Sequence, residues 1–158
     1  MLRDRKAVSQ RERGAVIVET ALACVILMLV ITAIFDFAHM HYARSSLQHA
    51  VSQATRYAIT GSTVADPNDN TKKLSREASI KYLVEKISGI TDFANEDIRI
   101  YVVQSNGSLV AGPGGPGEVV MVRASYRIDL ITPGIAALFP EGEYAFTCST
   151  RFRNEEFS

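Results

Sequence analysis

The hydrophobic positions follow three different rhythms along this chain, and each rhythm predicts a different kind of element. From Ala15 to Phe35 the run is almost continuously apolar, and between Thr20 and Phe35 it holds no charge. With Phe37 and Ala38 it covers roughly twenty residues, enough to cross about 30 Å of hydrocarbon. An ordinary secretory signal has an apolar core of about 7–15 residues and an A-x-A-like exit. This run is longer, and "FDFAHMHY" offers no such exit, so it predicts a membrane span. Beyond it Leu47, Ala50, Val51, Ala54 and Ala58 recur with helical period, with Arg44, Gln48, Ser52 and Thr55 opposite. No Gly or Pro occurs from Ala15 to Thr60, so the pattern predicts a single helix about 70 Å long. Its first half is embedded and its second half needs something to pack on.

After Gly61 the pattern shortens. "STVADPNDNTKK" (62–73) reads as a polar loop with turn chemistry at Asp66-Pro67. Ser75 caps a helix to Ser88, with Ile80, Leu83, Val84 and Ile87 as its apolar stripe, Glu77 in its first turn and Gly89 as its stop. "DIRIYVVQ" (97–104) predicts a strand ended by Asn106-Gly107, and "GPGGPG" (112–117) a flexible turn. "VVMVRASYRIDL" alternates, with Val120, Val122, Ala124, Tyr126, Ile128 and Leu130 on one face and Arg123, Ser125, Arg127 and Asp129 on the other. "EYAFTCSTRFR" does the same, with Tyr144, Phe146, Cys148 and Phe152 inward. Strands of this kind belong to an antiparallel sheet with one wet face. The expected fold class is therefore α+β: a long N-terminal membrane-spanning helix packed on a small antiparallel sheet, with one additional short helix.

Charge adds direction. The 158 residues carry no formal net charge, which gives no field for nucleic acid. Residues 1–14 hold Arg3, Arg5, Lys6, Arg11 and Arg13 against Asp4 and Glu12, five cations to two anions, a net of +3. A basic head before a greasy run is an anchoring layout, and the positive-inside rule keeps it cytoplasmic and exports the rest. Cys24 lies in the apolar run and Cys148 in the exported part, so they form no disulfide. Cys148 shares a face with aromatics and reads as a small buried hydrophobe.

Candidate chemistry is sparse. Glu19 is a carboxylate in a span, an expensive placement that marks a functional site. It lies five residues after Gly14. The alternative is an interfacial carboxylate that snorkels to the cytoplasmic edge. Asp36, His39 and His41 fall at the outer interface, where polar tips are comfortable, and histidines at i and i+2 do not share a helix face. Asp66, Asn68, Asn70 and Glu77 partly fit a calcium loop, but Thr71 stands where that loop wants glycine and Lys72 and Lys73 follow, so a solvated loop is the expectation. "GPGGPG" lacks the Gly-Lys-Ser/Thr ending of a phosphate cradle. Ile135, Leu138 and Phe139 read as a turn capping the sheet, with a partner contact as the alternative. There is no Ser/His/Asp or Cys/His constellation, so no enzyme, metal or cofactor is expected.

The basic leader ending in Gly14, the new N-terminus available at Ala15 and Glu19 at its fifth position resemble a class III prepilin signal. "RGAVIVETAL", "LQHAVSQATRYAITG" and the closing "STRFRNE" resemble the TadE-like family, pseudopilins of the tight-adherence (Flp pilus) system. The resemblance is strong over 13–61 and looser over the sheet. Major pilins of that system place Tyr after the glutamate; here Thr20 follows Glu19, which favours a minor subunit. The resemblance implies a pilin-like division: a prepilin-type leader (1–14), a transmembrane helix (15–38), a periplasmic extension of that helix (39–61) and a periplasmic α+β domain (62–158). It implies a bacterial inner-membrane protein cut by prepilin peptidase between Gly14 and Ala15. Its other partners would be membrane lipid, other pilin subunits and the pilus assembly platform. Glu19 would pair with the Ala15 amine of a neighbour and set the stagger between subunits. The alternative function is an uncleaved single-pass anchor whose periplasmic domain scaffolds the apparatus.

Overall fold

A computed structural model of the chain describes residues 3–67, 69–90 and 97–156, with the side chains of 3–12 and 70 not included. Helix α1 runs from Arg3 to Ile59, 57 residues, and continues through Gly14 without a break. At 1.5 Å per residue it is about 85 Å long. The helix is long and apolar enough to cross a membrane. From Arg13 to Phe35 no side chain is buried, and Val, Ile and Leu surround the whole circumference. Burial begins abruptly at Asp36.

The remainder of the chain folds against the second half of α1. A short hairpin, β1 (Ala65–Asp66) and β2 (Asp69–Lys73), leads into α2 (Arg76–Ser88). Ser75 caps α2 by accepting from the Ala78 N–H at 3.1 Å, and Gly89 closes it in the left-handed region at φ 59°. Four strands follow: β3 (Ile98–Val103), β4 (Leu109–Ala111), β5 (Val119–Asp129) and β6 (Glu143–Arg153), with a four-residue helix α3 (Pro133–Ala136) between the last two. They form one antiparallel sheet in the order β4-β3-β5-β6. The β5–β6 pair is in register from Val119↔Arg153 to Asp129↔Glu143.

The core lies between one face of this sheet and the two long helices. Leu47, Ala50, Val51, Ala54 and Ala58 of α1 are all fully buried, against Ile80 and Val84 of α2 and Ile98, Val120, Val122 and Cys148 of the sheet. The alanines are small enough for strands and α2 to approach the helix axis closely. Each fully buried Leu, Ile or Val there is worth about 1.5–3 kcal/mol. The other sheet face carries Arg99, Arg123, Arg127 and Arg151, all exposed. The fold is the expected α+β arrangement of long helix, small antiparallel sheet and short helix.

Three local expectations are corrected. Thr55, assigned to the wet face, is buried; its hydroxyl turns back to the Val51 carbonyl at 2.7 Å and so needs no water. Segment 62–73 pairs with itself as the β1–β2 hairpin rather than remaining a loop. Asn106-Gly107 ends β3 as expected, in a tight turn that leads directly into β4. "GPGGPG" is held, not flexible. Arg76 donates to the Gly114 carbonyl (2.7 Å), the Ala58 carbonyl (2.9 Å) and Asn154 Oδ1 (2.6 Å), while Asn154 Nδ2 donates to the Gly115 carbonyl (2.8 Å). Gly114 sits at φ 67°, and a Cβ there would lie 2.8 Å from Val120. Burial lowers the Arg76 guanidinium from its ordinary value, yet a guanidinium stays charged in proteins. The clamp joins the end of α1, the start of α2, the glycine turn and the residue after β6. Asn154 is part of "RFRNE", and Glu155 adds an N–H to the Ile59 carbonyl at 3.1 Å.

Candidate functional site

Gly14, Ala15 and Glu19 lie on the part of α1 that projects from the domain. Four residues of α-helix rise about 6 Å and return to nearly the same face, so Ala15 and Glu19 stand one above the other. Gly14 has no positive φ, and a Cβ built on it would meet nothing within 4 Å. Ala15 and Glu19 are exposed. While the helix is continuous the Ala15 nitrogen is an uncharged amide; it becomes a cation only if the preceding bond is cut.

The polar groups of the apolar stretch are not equal. Thr20 returns its hydroxyl to the Val16 carbonyl at 2.8 Å, and Thr32 to that of Met28 at 3.1 Å. These threonines satisfy themselves within the helix. Glu19 has no hydrogen bond or ion pair with any described residue. A helix offers a carboxylate at that position no local donor, since the backbone N–H groups around it are already used in the ladder.

Asp36 was expected as a polar tip in water, and the structure corrects this. It is 2 % exposed and accepts the backbone N–H of Ile131 (2.9 Å) and of Thr132 (2.8 Å). The apolar stretch of α1 is therefore tied, at its last turn, to the connection between β5 and β6. The signal was faint but present: a carboxylate directly after a charge-free run, and a second charge-free run at 130–140. His39 and His41 do not join Asp36; among the described residues no group of three or more His, Cys, Asp or Glu gathers as a metal site. Within the calcium-like stretch, Glu77 pairs with Lys81 at 2.8 Å, and Asp69 holds Thr71 and Lys72. Asn68 lies outside the described residues. Cys148 is buried and free, its sulfur 3.8 Å from the Arg44 carbonyl. Burial pushes its thiol up, away from the reactive thiolate.

The turn after β5 also differs from its expected role. Phe139 does cap the sheet, edge-on to Tyr144 at 5.9 Å, and Tyr144 stacks on Phe146 at 5.6 Å. Leu138 points away, 79 % exposed.

No curated relative and no solved structure matches the chain. Residues 14–56, the segment that carries Gly14, Ala15, Glu19, Asp36 and the buried stripe from Ala43 to Ala54, match the model of the TadE-like protein family, the family that the sequence resembles.

Proposed function

We propose that this chain is a structural subunit of a Tad/Flp-type pilus system, a minor pilin rather than an enzyme. In this reading prepilin peptidase hydrolyses the Gly14–Ala15 amide on the cytoplasmic side of the membrane. Hydrolysis leaves the glycine carboxylate on the leader and an ammonium group at Ala15. The +3 leader stays behind, and the apolar run from Ala15 to Phe35 retains one carboxylate, Glu19, able to meet the ammonium of a neighbouring subunit. The domain beyond Asp36 is then periplasmic, since the basic head favours the cytoplasm.

The observation that carries the reading is the pairing of an idle glycine with an idle carboxylate. Glycine inside a helix costs about 0.5–1 kcal/mol relative to alanine. Gly14 repays nothing within the described fold: no described neighbour approaches it and no turn requires it. Glu19, five residues on, has no partner among the described residues. Both features gain a purpose if an enzyme must reach the backbone at 14 and another subunit must supply a cation near 19. The family match over 14–56 supports the same system.

Two substitutions test it. Gly14→Phe is expected to leave a full-length precursor in the membrane, with Met1 as its N-terminus on sequencing. Glu19→Ala keeps the scissile bond and a strong helix former. It is expected to be cut to Ala15 and to stay in the membrane, yet to fail to support piliation. Wild-type protein retaining Met1 in cells that make pili would favour the uncleaved scaffold instead. Normal pili from Glu19→Ala would show that the carboxylate only snorkels.

A further inference from the structure

The connection between β5 and β6 contains eleven successive uncharged residues, "LITPGIAALFP" from Leu130 to Pro140. Its exposure is the reverse of what a capping turn needs. Ile131 is 72 % exposed and Leu138 is 79 % exposed. The large apolar side chains of the span are less exposed than these, reaching at most 69 % at Val18. On the opposite side the segment is fixed: Phe139 packs on Tyr144, and Leu130 donates to the Gly142 carbonyl at 3.2 Å. The segment therefore has one face on the domain and one bare apolar face.

Its position along α1 identifies what that bare face meets. Asp36 receives the N–H groups of Ile131 and Thr132 and lies one residue, about 1.5 Å of rise, beyond Phe35, the end of the charge-free run. Whatever depth Phe35 has, Ile131 has nearly the same. We propose that residues 130–140 form a foot that rests in the outer boundary of the bilayer beside the span, with Ile131 and Leu138 in contact with lipid. This rests on the reading of Ala15–Phe35 as a transmembrane helix.

The backbone is suited to that boundary. Every N–H group from Leu130 to Phe139 except that of Gly134 donates within the protein, and Pro133 has none to satisfy. Donors left bare would resist entry into an apolar layer. Asp129 and Glu141 bracket the run, so it enters only to the level where headgroups meet acyl chains, the depth of an interfacial helix. A second contact point beside the span fixes the tilt of the domain, which a single helix leaves free to rotate.

The chain contains no tryptophan, so single-tryptophan variants report depth without interference. Full-length Leu138→Trp, Leu29→Trp and Val110→Trp are reconstituted separately in phosphatidylcholine–phosphatidylglycerol vesicles, with and without acyl-brominated lipid. All three positions are at least 46 % exposed, so the fold tolerates the change. The expected result is a blue-shifted Leu138→Trp emission that loses most of its intensity in brominated lipid, while Val110→Trp emits as in water and is not quenched. If Leu29→Trp is quenched but Leu138→Trp behaves like Val110→Trp, the foot is wrong and the span stands. A blue-shifted Leu138→Trp that bromine does not quench is covered by protein, and the lipid assignment fails in favour of a second subunit. If Leu29→Trp itself is unquenched, the span reading falls and the foot with it.

Discussion

Between Arg13 and Phe35 no side chain of α1 is buried, whereas between Ala43 and Ala58 Ala43, Leu47, Ala50, Val51, Ala54 and Ala58 are 2 % exposed or less. The two stretches belong to one helix with no interruption in its hydrogen-bond ladder. Their difference lies in residue size and distribution. The first carries large branched side chains on every face, which suits a solvent that is apolar in all directions. The second confines its apolar residues to one stripe and makes most of them alanine, which suits a solid partner on one side. A helix can thus be built for lipid or for a sheet without any change in its backbone. Asp36 marks the boundary between the two stretches because its carboxylate needs donors, which the loop at 131–132 supplies.

The largest effect comes from dividing the chain at this boundary. A polypeptide of residues 36–158 keeps the stripe and is expected to unfold cooperatively in solution. A polypeptide of residues 62–158 loses the helix that covers the sheet, and is expected to show no cooperative thermal transition by circular dichroism. Equal transitions for the two would mean that the stripe is not part of the core. A smaller effect separates the halves within the full chain. Leu47→Ala empties a fully buried site and is expected to lower domain stability by about 2–5 kcal/mol in denaturant titrations. Leu27→Ala, 58 % exposed, is expected to leave the domain midpoint unchanged. The smallest contrast uses two glycines. Gly114→Ala places a methyl 2.8 Å from Val120 at positive φ, and a destabilisation of about 1–3 kcal/mol is expected. Gly14→Ala meets nothing and is expected to leave the domain midpoint where it was. A destabilised Gly14→Ala domain would show that Gly14 has a structural role after all.

Periodicity revealed most of the fold. The stripe from Leu47 to Ala58, the capped helix from Ser75 to Gly89 and the inward faces of β5 and β6 all follow from rules that involve near neighbours only. The larger misreadings share a physical cause. The glycine turn and Asp36 are each decided by groups far away in sequence. Nothing in "GPGGPG" says that Arg76 and Asn154 will hold its carbonyls. Nothing near Leu138 says that its neighbour Phe139 will take the place on the sheet.

The sequence alone determined that one segment is apolar enough to enter a membrane, that it begins beside a glycine after a basic head, and that it contains one carboxylate. These are properties of composition and order, and an isolated helix keeps them. Only the tertiary structure decided that Gly14 and Glu19 have no use within the described fold and that Asp36 does. Whether a polar group is satisfied depends on which donors come within about 3 Å of it. Local order can place Glu19 in the span, but the Ile131 and Thr132 amides reach Asp36 only because the whole sheet folds back along α1.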